Sequence, residues 1–332
     1  METTVDAPVV LLTDPIAPSA VARMAQRANV VVAPNNTPSA LIAAAIDADI
    51  IVVRTPLPPQ IFGHAAKLRG VIRHGAGIDM IPVEVATAHR VAVANVPGAN
   101  AVSVAEYALG QMMNLAHRLN EADRTLRTQG WAATRALCEK KIEVAGRTLG
   151  IVGTGRIGKA LAHMAHHGLG MKVTGFHPSM SPISNYIEML PLEDLFTRAD
   201  FIVLACPLNA STRGMVNAAL ITKMKVDAVL INVSRGPVLD EVALIQALST
   251  GQIRGAALDV FDVQPLPAES PLLRMDSVIL SSHMAGLTQD TLERIGDKVA
   301  DQALQLLDGK LPQHLCNVEM RADLQARLQE FA

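Results

Sequence analysis

The residues best equipped for chemistry in this 332-residue chain lie at the ends of apolar runs. Gly153-Thr154-Gly155-Arg156-Ile157-Gly158 follows the run 149–152 and opens a helical stretch over 159–167. Gly153 permits a tight turn, Gly155 lets the backbone approach a pyrophosphate with no Cβ in the way, and Gly158 lets helix and strand pack closely. The helix start meets negative charge with open N–H groups and the positive end of its dipole. That context makes a dinucleotide phosphate site of glycines that elsewhere would mark an ordinary turn. Arg235, in Ile231-Asn232-Val233-Ser234-Arg235-Gly236, and His283, in Ser281-Ser282-His283-Met284-Ala285-Gly286, each follow a strand-like run. Ligands of open parallel sheets bind beyond the carboxyl ends of strands, so both face a cofactor crevice. Arg235 offers a planar donor fork that matches a carboxylate or keto oxygen, and His283 is suited to moving one proton near neutral pH. Hydride transfer with one proton transfer is the chemistry that this set serves.

The elements that must hold these residues follow from the apolar rhythm. Runs at 9–12, 30–33, 50–53, 70–72 and 91–94 alternate with Ala-rich helical stretches and predict βα units around a parallel sheet. A helix is expected from about 103 to 127, because Val104, Ala108, Met112, Leu115 and Leu119 recur at near-helical spacing. It links two domains. After the glycine-rich unit, strands are expected at 172–176, 201–205, 229–233, 255–258 and 278–281, giving a second, doubly wound sheet. A last helix over 289–307 lies too far downstream to extend that sheet and is expected to return to the first domain. The expected fold is therefore α/β, with two Rossmann-like domains and a discontinuous substrate domain of residues 1–101 and 290–332 around a dinucleotide-binding domain of 102–289. No internal repeat is visible.

Composition narrows the partners. Hydrophobic residues make up 50% and charged residues 18%, enough for substantial cores. A net charge of -2 with no block of like charge argues against nucleic acid or a membrane surface. No apolar run is long enough to span a bilayer, and the acidic Met1–Asp6 stretch lacks a secretory pattern. Cys138, Cys206 and Cys316 are odd in number and lack metal-ligand spacing, which fits a reducing cytoplasm and no metal site.

Several separated motifs in one order resemble the D-isomer-specific 2-hydroxyacid dehydrogenase family, which includes phosphoglycerate dehydrogenases and glyoxylate/hydroxypyruvate reductases. They are His74-Gly75-Ala76-Gly77-Ile78-Asp79, Asn100-Ala101-Val102-Ser103-Val104-Ala105-Glu106, the glycine loop, Cys206-Pro207-Leu208, the Arg235 segment, Leu258-Asp259-Val260-Phe261, the His283 segment and the closing 309–319. The resemblance implies an NAD(P)-dependent dehydrogenase of a small anionic D-2-hydroxy acid, with Arg235 binding substrate and His283 as acid/base. It implies that the backbone near Ala76 and Gly77 holds the substrate carboxylate, with His74 and Asn100 beside it, and that Asp259 lies next to the nicotinamide. Further cofactor contacts are expected at Gly153, Gly155, Arg156, Ile157, Gly158, His177, Cys206, Pro207, Thr212, Asn232, Val233 and Gly286. A homodimer through the cofactor domains, with 103–131 contributing, is also expected. Arg54 and the pair Arg73-His74 would form a positive rim for a second anionic group, or else are solvated strand-end charges.

Two positions depart from the family pattern. Gln264 stands before Pro265 where the family usually has a glutamate that pairs with the catalytic histidine. Without a carboxylate, His283 is expected to be mostly neutral near pH 7, which favours oxidation of a hydroxy acid over reduction of a keto acid. Gln264 would then orient His283. Formate dehydrogenases, relatives on this fold, also carry glutamine there, so formate oxidation stays open as an alternative. A dinucleotide-sensing corepressor-like scaffold is the other alternative, although no peptide-binding extension is visible. The second departure is His177-Pro178-Ser179 after the strand 172–176, where an Asp or Glu normally binds the adenosine ribose of NAD. No Arg or Lys between His177 and Pro191 is available for a 2′-phosphate. NAD is preferred on that balance, and NADP stays open.

Overall fold

The structure is a computed structural model that describes residues 7–331, so the Met1–Asp6 stretch read above lies outside the described residues. Its strands are β1 (Val9–Leu12), β2 (Asn29–Val32), β3 (Ile50–Val53), β4 (Gly70–Arg73), β5 (Ala92–Ala94), β6 (Thr148–Val152), β7 (Lys172–Phe176), β8 (Ile187–Met189), β9 (Phe201–Leu204), β10 (Val229–Asn232), β11 (Gly255–Leu258) and β12 (Val278–Leu280). The chain divides into two compact units, 1–100 with 287–332, and 101–286.

The first unit holds a parallel sheet in the order β2-β1-β3-β4-β5. Its strands are apolar at successive positions because helices cover both faces. Val10, Leu12, Ile50 and Val52 pack with Ile295, Val299, Ala303 and Leu306 of the helix Gln289–Leu307, while Leu11, Ile51 and Val53 join the opposite core with Leu41, Ile61 and Phe62. The C-terminal segment thus completes a core begun by the N-terminal strands.

It also covers the exposed edge of β5. Leu315 forms an antiparallel bridge with Ala94, and the Cys316 amide donates to the Val93 carbonyl at 2.7 Å. Asn317, 1% exposed, accepts from the Val93 amide at 3.0 Å and donates to the Val91 carbonyl at 3.0 Å and the Thr87 hydroxyl at 3.1 Å. An amide is the side chain that can satisfy donor and acceptor groups on one edge at once.

The second unit holds a seven-stranded parallel sheet in the order β12-β11-β10-β9-β6-β7-β8. Strand-order reversal at β6 and β9 creates the switch point beside the glycine-rich turn. One expected element differs: the helix over 103–127 is two helices, Ala101–His117 and Leu119–Gln129, because Arg118 adopts a left-handed φ of 52°. The Asn114 side chain accepts from the Asn120 amide at 3.0 Å and stabilises the break. The apolar stripe consequently ends early: Val104, Ala108 and Met112 are buried, whereas Leu119 is 52% exposed. Strand β8, absent from the sequence reading, is three residues long and pairs only with β7.

Both sheets share a local device. The Val9 amide donates to the Asp49 carboxylate at 2.8 Å while the Asp49 amide donates to the Val9 carbonyl at 2.9 Å. The Thr148 amide and Asp200 make the same reciprocal pair at 2.8 and 2.9 Å. Each aspartate stands one residue before the neighbouring strand and sets the register at which the central pair begins.

Replacing Asn317 by Ala leaves a buried N–H and a buried C=O without partners, and should destabilise the protein by roughly 2 to 3 kcal/mol. Urea unfolding is the check, and a loss below about 0.5 kcal/mol would show that the clamp is dispensable.

Candidate functional site

The phosphate cradle is built by close approach. Gly153, at the end of β6, has φ +98°, and a Cβ there would lie 2.5 Å from the Cys206 amide nitrogen. A Cβ on Gly158 would lie 2.3 Å from the Gly153 carbonyl oxygen, so a side chain at either position would push helix, turn and strand apart. Gly155 faces open space instead, and no side chain caps the helix Arg156–His163 that follows. Tight glycines behind, an open glycine in front and uncapped N–H groups fit a bound pyrophosphate. The Thr154 hydroxyl is buried there without a hydrogen-bond partner.

The next turns line the same sheet edge. Cys206 is buried, which pushes its thiol pKa up, and its carbonyl accepts from the Ser234 hydroxyl at 2.5 Å. Thr212 donates to the Pro207 carbonyl at 2.7 Å and accepts from the Asn209 amide at 2.8 Å, which folds the loop after Pro207 back on itself. His177 accepts from the Ser179 amide through Nδ1 at 3.2 Å, so its Nε2 carries the proton.

Asn232 is completely buried, and its side chain organises the turn that presents Arg235. Its Oδ1 accepts from the Ser234 amide at 3.0 Å and its Nδ2 donates to the Arg235 carbonyl at 3.2 Å. Val233 donates its amide to the Leu204 carbonyl at 3.2 Å, and Arg235 donates through Nη1 to the Ser234 carbonyl at 2.8 Å. A Cβ on Gly236 would sit 1.9 Å from the Phe261 carbonyl oxygen, so the Arg235 turn and the segment after Asp259 touch through bare backbone.

That segment carries Gln264. Its Nε2 donates to the Phe261 carbonyl at 3.4 Å, and its Oε1 lies 3.2 Å from His283 Nδ1. An amide oxygen only accepts, so Nδ1 carries the ring proton and Nε2 carries the lone pair. His283 itself has φ +56°, a left-handed conformation for a side chain with a Cβ. Asp259, 2% exposed, holds it there. Its carbonyl accepts from the His283 amide at 2.8 Å, Oδ1 from the Met284 amide at 2.8 Å, and Oδ2 from the Ala285 amide at 3.0 Å. Gly286 closes the turn and the unit. Two residues that the sequence reading passed over complete this arrangement: the Ser281 hydroxyl donates to Asp259 Oδ1 at 2.6 Å, and Tyr107 Oη lies 2.5 Å from Ser281 Oγ. The available signal was a tyrosine among the Ala, Val and Met of a largely buried helix, where a phenol needs a polar partner.

In the first unit, the candidate residues follow β3 and β4. Gly75, at φ +148°, turns the chain after β4, and the Asn95 side chain donates to the Ala76 carbonyl at 2.6 Å, leaving Gly77 partly exposed. Arg54 donates its amide to the Thr13 hydroxyl at 2.9 Å and its guanidinium to the Pro15 carbonyl. His74 is 5% exposed, and its Nε2 is buried without a hydrogen-bond partner. Burial first, then the Arg54 and Arg73 guanidiniums, lower its pKa from 6.5 to about 4, so the ring is neutral at neutral pH. Asn100, partly exposed, ends the first stretch of this unit. Among the described residues no group of three His, Cys, Asp or Glu could hold a metal ion, and no helix is long and apolar enough to cross a membrane.

Residues 109–285 match the D-isomer specific 2-hydroxyacid dehydrogenase, NAD binding domain family. A D-3-phosphoglycerate dehydrogenase of Methanocaldococcus jannaschii is 36% identical over 93% of this chain and 59% of its own. The chain therefore spans about three-fifths of the length of that relative. A glyoxylate reductase of Korarchaeum cryptofilum is 37% identical over 82% of this chain and 83% of its own. Among solved structures, an NADPH-dependent glyoxylate/hydroxypyruvate reductase of Sinorhizobium meliloti, in complex with NADP and malonate, has a TM-score of 0.82 at 28% identity, covering 94% of this chain and 97% of that one. With the family match spanning more than half of the sequence, the chain belongs to the D-isomer specific 2-hydroxyacid dehydrogenases.

Proposed function

We propose that the protein oxidises a small anionic D-2-hydroxy acid with a nicotinamide cofactor, NAD in preference to NADP. The observation that carries the proposal is the His283 Nδ1 to Gln264 Oε1 contact at 3.2 Å, on the same parallel sheet that carries the glycine-rich cradle. A bound nicotinamide would supply the acceptor for the hydride of the carbinol carbon. The chain's own part is to move the proton and hold the charge. His283 Nε2 takes the hydroxyl proton, and the Gln264 oxygen keeps the imidazole in the tautomer that can do so. Arg235 binds the substrate carboxylate or the developing carbonyl oxygen through its donor fork. An amide accepts from imidazolium without a full negative charge, so it stabilises the protonated ring less than a glutamate would and favours the oxidative direction. NAD is preferred because no Arg or Lys between His177 and Pro191 is available for a 2′-phosphate. The 74–77 turn of the first unit is assigned to a substrate carboxylate, and Arg54 to a second anionic group.

We further propose a homodimer that covers the helix Leu119–Gln129 and the residues after it. Leu119 and Leu126 are 52% and 46% exposed and Trp131 is 73% exposed, and Thr125 is the one buried residue of that helix. The three cysteines are unbridged, which suits a reducing cytoplasm.

Purified protein assayed with NAD, NADP, formate and a panel of 2-hydroxy acids should reduce the nicotinamide only with a hydroxy acid. Turnover of formate alone would transfer the assignment to formate oxidation, for which His283 need not accept a proton. In Gln264→Glu, the carboxylate should move the rise of the oxidation rate to higher pH by about one unit or more and speed keto-acid reduction near neutrality. Coincident wild-type and mutant profiles in both directions would overturn the role given to Gln264.

Light scattering at micromolar concentration should give twice the chain mass. Trp131→Ala should lower that mass, and a monomeric wild type would remove the dimer.

His74 gives a stability test with a definite sign. An unfolded His takes up a proton near pH 6.5, whereas the buried ring resists it until about pH 4. Stability should therefore fall as pH drops through that window, by about 3 kcal/mol for a shift of this size. Denaturation from pH 7 to 4 should show a shallower loss in His74→Asn than in wild type. Parallel curves would mean that His74 is not buried as a neutral ring.

A further inference from the structure

The turn that presents His283 is fixed by one carboxylate, and that carboxylate is fixed in turn by a chain of hydroxyls whose direction can be worked out. The Ser281 hydroxyl donates to Asp259 Oδ1 across their 2.6 Å contact. Ser281 has a single hydroxyl proton. Across the 2.5 Å contact with Tyr107, Ser281 Oγ must therefore accept, and the phenol donates. Both bonds point toward Asp259. Each donor in such a chain polarises the next, and the negative charge at the end strengthens them all. Burial raises the Tyr107 pKa, with Asp259 adding to the rise, which keeps the proton that this order requires.

The other side of Asp259 faces three consecutive amides, those of His283, Met284 and Ala285. They can converge on one residue only while the backbone stays curled, with His283 at φ +56°. A non-glycine residue in this region is strained and persists only where its surroundings over-determine it. Rotation of the Asp259 side chain would remove two of the three restraints. Ser281 and Tyr107 oppose that rotation by holding Oδ1 from the helix Ala101–His117.

We propose that Tyr107, acting through the Ser281 hydroxyl and the Asp259 carboxylate, is a positioning residue that sets the angle at which His283 meets its substrate. It rests on the assignment of His283 as the acid/base, so the test includes a measurement that needs no substrate.

Hydrogen–deuterium exchange of the ligand-free protein should show the amides of 283–285 exchanging at least about tenfold faster in Ser281→Ala and Tyr107→Phe than in wild type, while Ser281→Thr, which keeps the hydroxyl, stays near wild type. On the hydroxy acid found in the panel, Ser281→Ala should lose about tenfold in kcat with the KM for cofactor within about threefold, and Ser281→Thr should recover most of the loss. Unchanged exchange in Ser281→Ala overturns the proposal, as does faster exchange with unchanged kcat, or equal loss in the Ala and Thr variants. If no hydroxy acid is turned over, the acid/base assignment fails, and the exchange data alone decide whether the hydroxyl chain holds the turn.

Discussion

A carboxylate that is 2% exposed cannot rely on water, and Asp259 therefore requires donors from the protein. Its position at the end of β11 decides which donors they are: the residues that follow β12, its neighbour in the sheet. The consequence is that desolvation of one acid shapes the turn on which the acid/base candidate sits. The same geometry brings the Arg235 turn alongside, since Gly236 meets the Phe261 carbonyl two residues beyond Asp259 with no room for a Cβ. Remove the Asp259 carboxylate, and the His283 turn loses the acceptor for the Met284 and Ala285 amides.

Around this fixed point, polar side chains mostly hold the turns to which they belong. Asn232 is fully buried and uses both ends of its amide within the Arg235 turn, and Thr212 closes its own loop. Such groups fix the backbone beyond the carboxyl ends of the strands, and the backbone presents the N–H donors and the charged side chains. The Gln264 amide follows this logic: one end is committed to the Phe261 carbonyl, so the other must accept from His283. A tautomer is thereby set by a backbone carbonyl three residues away.

Much of this was legible in the sequence because burial on both faces writes parallel strands as continuous Val, Ile and Leu. The elements missed have physical reasons. Strand β8 has only Ile187, Glu188 and Met189, too short a run to carry a periodicity. The break at Arg118 has no glycine or proline to announce it, and it depends on a side-chain acceptor, Asn114, that lies four residues upstream. At the site, the glycine spacing pointed to its own cradle, because the steric demand is local. The Tyr107 to Ser281 contact joins positions 174 residues apart, and no local pattern encodes it. The internal likeness of the two sheets was equally hidden, since reciprocal pairing by Asp49 and Asp200 depends on where a single residue falls before a strand.

The return of the helix Gln289–Leu307 to the first sheet has a consequence for the order in which the molecule is made. A chain that emerges from its amino end presents β1 to β5 long before Ile295, Val299, Leu306, Leu324 and Leu328 exist to cover one face of them. During that interval the second unit, which is contiguous, has all its strands in hand. The half-covered sheet must wait with an apolar face and an open edge at β5, the kind of surface that chaperones and stray strands recognise. The first unit is thus most vulnerable before residues 287–332 follow, and that stretch acts as a latch that ends the exposure.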